Sequence, residues 1–179
     1  MHHESAITIP SLPETVEAFV ALRDELARTP HGGAAMFVVA IEAFTRGADL
    51  GLACFTIAID ASELVAGDVY KGRAPRRMTI DDLRQRIGAK PYVARSYFAG
   101  TSPEEAYRLP DGPLQVRIRH QERDPLGPER AKLFVHSTGA DSPRPIVLVR
   151  NDRGLWKAKS WSSLEVGVRP PVEVVVDDL

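Results

Sequence analysis

The chain lacks the features that identify several protein classes. Its single cysteine, Cys54, excludes an internal disulfide framework and a multi-cysteine zinc site. The longest apolar run, residues 32–41, is too short to cross a bilayer, and the first residues do not have the pattern of a secretory signal. We therefore expect a soluble protein that is cytoplasmic and has no membrane partner.

The chain also lacks an excess of either charge. It has 23 Lys and Arg against 24 Asp and Glu, a net charge of -1, which argues against a dedicated nucleic-acid-binding protein. One local cluster is basic, and it reads either as a solvated loop or as an anion-binding loop. Its members are Lys71, Arg73, Arg76 and Arg77.

No catalytic motif of high specificity occurs. The sequence has no nucleophile elbow, no Walker loop and no dinucleotide fingerprint. His136, Asp141 and Ser142 come nearest to a hydrolase set, but Asp141 and Ser142 are adjacent and suit local hydrogen bonds in a loop. The histidines are too dispersed to suggest a metal site. We predict no catalytic residue, metal or cofactor, and favour a role other than that of an enzyme.

The first half of the chain has helical periodicity. Val16, Phe19, Leu22 and Leu26 lie at helical spacing. Thr29 and Pro30 mark the start of a second helix, which is apolar on nearly every side and should be enclosed by neighbours. The small residues 32–35 at its start would let another backbone approach closely. Residues 60–79 are rich in glycine and charge and read as an exposed loop.

After Pro113 the period changes from 3.6 to 2. Residues 114–119 alternate between apolar and polar side chains, which is typical of a half-buried antiparallel strand, and three more strands follow before residue 161. We predict an α+β fold in which an N-terminal helical layer packs on a C-terminal antiparallel sheet of four to five strands. Residues 1–11 are expected to form a flexible lead-in, with a short edge strand at Ile7 and Ile9 as the alternative. Residues 12–171 are expected to form a single domain, and 172–179 a C-terminal strand or tail.

Aromatic residues and one arginine suggest a binding surface. Trp156 and Trp161 are five residues apart on one predicted strand, so their side chains should project to opposite faces. One should be buried, and the other should form an exposed patch of interface composition. The candidate binding residues are Tyr92, Tyr97, His136, Arg144, Trp156 and Trp161. The alternative is that loops cover both tryptophans.

Four phrases together resemble an uncharacterised bacterial family, a domain of unknown function that covers roughly residues 12–171. They are TPHGGAA (29–35), SYFAGTSPEEAY (96–107), GADSPRPI (139–146) and SWSSLEVGVRPP (160–171). The resemblance implies no established activity and no catalytic residue.

Two functional hypotheses follow from these observations. The first is a non-catalytic bacterial protein-interaction or accessory domain, such as an adaptor, a chaperone or an immunity-type partner. The partner would be a protein, or a second copy of the chain paired through residues 172–177. The alternative is a small-molecule-binding or hydrolytic protein with a pocket between the helices and the sheet, lined by His120, His136 and Trp156.

Overall fold

The structure is a computed structural model that describes residues 2–173. It confirms the α+β class: this part of the chain contains five α-helices, a five-stranded antiparallel sheet and a two-stranded hairpin. The predicted C-terminal strand at 172–177 lies almost entirely outside the described residues.

The N-terminus is a strand rather than the flexible lead-in predicted for residues 1–11. Strand β1 spans His2–Ile9 and pairs antiparallel with β4 (Leu114–Gln121) along its whole length. Its outward residues are polar because β1 is the edge strand, and this polarity hides the strand signal in the sequence. Ile9 is fully buried and anchors the strand to the core.

Three helices follow in close succession: α1 (Val16–Leu26), α2 (Pro30–Arg46) and α3 (Ala48–Ala58). The predicted start of α2 is confirmed, because the Thr29 side chain accepts a hydrogen bond from the Gly32 N–H at 3.1 Å. Helix α2 contacts α1, α3 and α5 as well as strands β1 and β4–β7, so neighbours enclose it. No helix within residues 2–173 has both the length and the apolar character to span a bilayer.

The segment predicted as an exposed loop at 60–79 contains regular structure. A 3-10 turn at Ala61–Glu63 leads into a hairpin of β2 (Leu64–Tyr70) and β3 (Arg73–Pro75), with Lys71 and Gly72 in left-handed conformations at its tip. Helix α4 (Arg77–Leu83) then continues directly into a π-helical turn, Arg84–Gly88. The short helix α5 spans Tyr92–Arg95.

The main sheet has the strand order β1-β4-β5-β6-β7. Strands β5, β6 and β7 span Arg130–Val135, Arg144–Arg150 and Trp156–Ser160. The face that meets α2, here called the inner face, is apolar and buried, as the alternation at 114–119 predicts. Gly33 lets α2 approach β7 closely, because a Cβ there would lie 2.7 Å from the Trp156 carbonyl oxygen.

Candidate functional site

An open cleft of about 230 Å³ lies where the end of β7 meets α4 and the π-helical turn. Its floor comes from the 3-10 turn Ser162–Glu165, here called the 162–165 turn. Most of its lining is charged or hydroxylated, so the cleft suits a small polar molecule. The lining residues are Glu63, Thr79, Asp82, Arg86, Lys159, Ser160, Trp161, Ser162 and Glu165.

Glu165 is the buried ionisable group of the cleft. It is only 5% exposed, and its Oε2 atom has no hydrogen-bond partner among residues 2–173. Burial raises the pKa of Glu165 to about 7. The Trp161 indole N–H and the Arg86 guanidinium favour the charged form, but together they offset only part of the effect of burial on the pKa. Glu165 can therefore exchange a proton near neutral pH.

Three side chains hold the segment that carries Glu165. The Tyr97 hydroxyl donates to the Leu164 carbonyl at 2.7 Å, and Arg144 Nη2 donates to the Gly167 carbonyl at 2.8 Å. The Trp161 ring packs against the rings of Phe37 and Phe55, with centroids 5.7 and 5.6 Å away. The backbone that carries Glu165 is thus held on both sides of the residue.

Glu63 is a second acid of the cleft, and its environment has the opposite effect. Lys159 Nζ donates to Glu63 Oε1 at 2.6 Å, and Arg76 Nη1 donates to Oε2 at 2.7 Å. The hydrogen bond from Lys159 is the main cause that lowers the pKa of Glu63, and Arg76 adds to it. At neutral pH Glu63 is ionised while Glu165 is poised between its two forms. Such a separation is typical of paired acid and base groups.

Arg86 lies in the π-helical turn and makes only loose ion pairs. Its Nη1 is 3.9 Å from Glu165 Oε2, and its Nη2 is 3.7 Å from Asp82 Oδ1. Neither contact is short enough for a hydrogen bond. π-Helical turns are frequent at functional sites. Arg86 is therefore positioned to adjust when a molecule enters the cleft.

The exposed aromatic patch predicted from the sequence does not form. Trp156 and Trp161 are 6% and 9% exposed, and Tyr97 is fully buried. Tyr92 is half-buried and stacks on Tyr107 at 5.8 Å. Trp161 follows the last residue of β7, so strand alternation does not apply to it. Three of the predicted residues nevertheless lie at the cleft. Trp161 lines it, and Tyr97 and Arg144 donate hydrogen bonds to the backbone on either side of Glu165.

The predicted histidine-lined pocket is also absent from the described residues. His120 lies on the side of β4 that carries the buried Ile118, and it stacks on His3 at 6.1 Å. His136 directly follows β5, and its backbone N–H donates a hydrogen bond to the Arg117 carbonyl. Its side chain lies on the face of the sheet opposite to that of His120. Two residues on opposite faces of a sheet cannot line one pocket. Asp141 is highly exposed and pairs with Arg169 at 2.6 Å.

The predicted anion-binding loop is the β2–β3 hairpin with the start of α4. Lys71 lies at the tip, 5.5 Å from the Tyr70 ring, while Arg73 and Arg77 are exposed. Arg76 donates hydrogen bonds to Glu63 and to the Ser62 carbonyl, so its charge is already neutralised. Anion binding by Lys71, Arg73 and Arg77 remains a prediction.

The sequence reasoning missed Glu165, Glu63 and Arg86. One signal for Glu165 was present: it is a single acid between the apolar residues Leu164 and Val166, four positions after Trp161. Glu63 and Arg86 carry no such signal, because folding alone brings them together. Among residues 2–173, no three His, Cys, Asp or Glu side chains are grouped so that they could hold a metal ion.

Comparison with known proteins gives a family but no activity. No curated protein and no solved structure matches the chain. A family model described as "Domain of unknown function (DUF6935)" matches residues 11–172, which include every residue that lines the cleft. This agrees with the resemblance noted for residues 12–171. The chain therefore belongs to the DUF6935 family.

Proposed function

We propose that this protein binds a small polar molecule in the cleft, with Glu165 as the ionisable group that contacts it. The observation that carries the proposal is Glu165, which lines the cleft and whose buried Oε2 atom has no hydrogen-bond partner among the described residues. A ligand reaches this atom when the loosely held Arg86 side chain, 3.9 Å away, moves aside. Burying a carboxyl group in this way costs stability. Such a cost is characteristic of functional sites.

The size of the cleft limits the ligand. Its volume of about 230 Å³ lies below the roughly 300–1,000 Å³ typical of pockets for drug-sized molecules. A ligand of one ring or a short chain fits this space. Glu165, whose pKa is about 7, would also support proton transfer to a bound molecule. Such proton transfer would extend binding to hydrolysis, and an assay of turnover on the identified ligand tests this extension.

A fragment screen by two-dimensional NMR tests the proposal. We expect bound fragments to shift the signals of the Trp161 indole N–H and the Arg86 backbone. Ser162→Leu should block the cleft and abolish these shifts. Ser163→Leu is the matched control, because this neighbouring serine does not line the cleft. Fragments that bind Ser162→Leu and the unmodified protein equally well would contradict the proposal.

A second candidate function is recognition of an acidic protein partner by the outer face of the sheet. Register places Arg119, Phe134 and Pro145 side by side across β4, β5 and β6, with Lys132 beside Val147. Phe134 and Val147 are half-buried, and Lys132 lies 5.4 Å from the Phe134 ring. This apolar stripe with cationic neighbours is complementary to an acidic surface that carries apolar anchors.

Affinity capture with the purified protein tests this second function. Arg119→Glu with Lys132→Glu should abolish capture of a specific partner while the circular dichroism spectrum stays unchanged. Pairing of two copies through residues 172–177 is a further form of this proposal, and light scattering at rising concentration tests it.

We also propose a cytoplasmic location, where the buried free thiol of Cys54 would stay reduced.

A further inference from the structure

We infer that the ligand of the cleft is a small organic cation with N–H donors, such as an amine, an amidine or a guanidine. This inference rests on the proposed function. Its starting point is the Glu165 Oε2 atom, which is an acceptor without a donor among the described residues. A cationic N–H group supplies the missing hydrogen bond and adds to the positive charge of Arg86, whose Nη1 atom is 3.9 Å from the same oxygen.

The charges in the cleft favour a cation. The lining contains three acids, Glu63, Asp82 and Glu165, against two bases, Arg86 and Lys159. Lys159 is already engaged, since its Nζ donates to Glu63 and to the Ser62 hydroxyl, both at 2.6 Å. Glu63 is thus neutralised by Lys159 and by Arg76, which lies outside the lining. On the other side of the cleft, Asp82 and ionised Glu165 are two acids against one base, Arg86, and that side favours a cation. The nearby hydroxyl groups of Thr79, Ser160 and Ser162 can also accept hydrogen bonds from a donor-rich ligand.

Binding should be coupled to ionisation of Glu165. Four neighbouring groups interact electrostatically with its carboxyl group. Asp82 lies on α4 and Arg86 in the π-helical turn. The Trp161 indole follows β7, and the Tyr97 hydroxyl belongs to the segment after α5. A bound cation adds a positive charge and so favours the ionised form. If only that form binds and the pKa is about 7, the dissociation constant should be roughly 30-fold weaker at pH 5.5 than at pH 8.

Titration of the Glu165 side-chain carboxyl ¹³C signal with four probes tests the inference. The probes are methylguanidinium, methylammonium, inorganic phosphate and acetamide. We expect a cation to bind saturably at pH 8, to lower the pKa of Glu165, and to lose affinity as pH falls to 5.5. Glu165→Gln should weaken cation binding at pH 8 and remove its pH dependence. Glu42→Gln is the matched control and should leave cation binding unchanged, because Glu42 is likewise a buried acid but lies outside the cleft.

The other outcomes separate this inference from the function on which it rests. If phosphate binds and raises the pKa of Glu165 while both cations fail, the ligand is an anion; the cation inference is overturned and the small-molecule function stands. If acetamide alone binds, a neutral amide replaces the cation with the same consequence. If none of the four probes moves the Glu165 signal at high millimolar concentration, both the inference and the proposed function are overturned.

Discussion

At the scale of single residues, Glu165 should destabilise the protein at alkaline pH. Burial raises its pKa from 4.5 to about 7, so the folded state holds its proton over a pH range in which the unfolded state has lost it. Stability from this group is therefore lost as pH rises from about 4.5 to 7. We expect Glu165→Gln to raise the free energy of unfolding by up to about 3 kcal/mol at pH 8, with little effect at pH 4.

Chemical denaturation at the two pH values measures this effect. Exposed Glu25→Gln is the control and should change the free energy of unfolding by less than about 0.5 kcal/mol at either pH. A destabilised Glu165→Gln variant at pH 8 would mean that the ionised carboxylate is well solvated or paired in the fold.

Trp161 is the second residue whose removal should change a measurable property, the pKa of Glu165, in a known direction. Because its indole N–H favours the ionised form of Glu165, removal of this group in Trp161→Phe should raise the pKa of Glu165 further. A ¹³C-detected pH titration measures this shift. Trp156→Phe changes a tryptophan that does not line the cleft and should leave the pKa of Glu165 unchanged. An equal shift in both variants would point to general loosening of the core.

At the scale of structural elements, two tyrosines fasten the C-terminal segment in similar ways. Tyr97 donates to the Leu164 carbonyl at 2.7 Å, next to Glu165, whereas Tyr107 donates to the Arg169 carbonyl at 2.6 Å, beyond the 162–165 turn. Replacing either by Phe should cost about 1–2 kcal/mol of stability through the lost hydrogen bond.

Only the Tyr97→Phe variant should also change the cleft. Release of the 162–165 turn admits water to Glu165, so its pKa should fall toward 4.5, while Tyr107→Phe leaves it near 7. Thermal unfolding and a carboxyl titration of both variants give the comparison. If the two variants alter the pKa of Glu165 alike, Tyr97 has no special part in positioning the turn.

Strand β1 provides the second test at this scale. Ile9 is fully buried in the core, so Ile9→Ala should cost about 2–5 kcal/mol. Ser5→Ala, an exposed position on the same strand, should change stability by less than about 0.5 kcal/mol. Denaturant titrations measure both. A negligible cost for Ile9→Ala would restore the view of this segment as a loose lead-in.

At the scale of the whole molecule, α2 should make unfolding cooperative. This helix contacts every strand of the main sheet and three other helices, so neither half keeps its core alone. Circular dichroism at 222 nm follows the helices, and tryptophan fluorescence follows Trp156 and Trp161 beside the sheet. We expect the two thermal transitions to coincide. Two separated midpoints would show that the helical and sheet halves unfold independently.

The sequence predicts those parts of the fold whose signal is local. The Thr29 cap, the apolar length of α2 and the alternation in β4 each occupy a short window, and the structure confirms all three. Most of strand β1 was missed because its exposed residues are largely polar, which left only Ile7 and Ile9 as a strand signal. The β2–β3 hairpin was read as a loop because of its glycines and the basic residues at and after its tip. For such strands the partner supplies the stability, and the partner of β1 is distant in sequence.

The candidate site was less predictable than the fold for the same physical reason. The sequence predicted Trp161, Tyr97 and Arg144 as binding residues because aromatic and arginine side chains are enriched at interfaces. It missed Glu165, whose raised pKa comes from burial by tertiary contacts. A carboxyl group in a short 3-10 turn has no periodic pattern from which burial can be inferred.

The pairing of β1 with β4 has a consequence for synthesis of the chain. Ile9 and its partner Leu114 are more than a hundred positions apart, so β1 leaves the ribosome long before its neighbour exists. At translation rates of about 5–20 residues per second, the wait is roughly 5–20 s. During that interval β1 must remain unpaired without aggregating. Its polar run of His2, His3, Glu4 and Ser5 reduces the tendency to aggregate, because polar side chains keep an unpaired strand soluble.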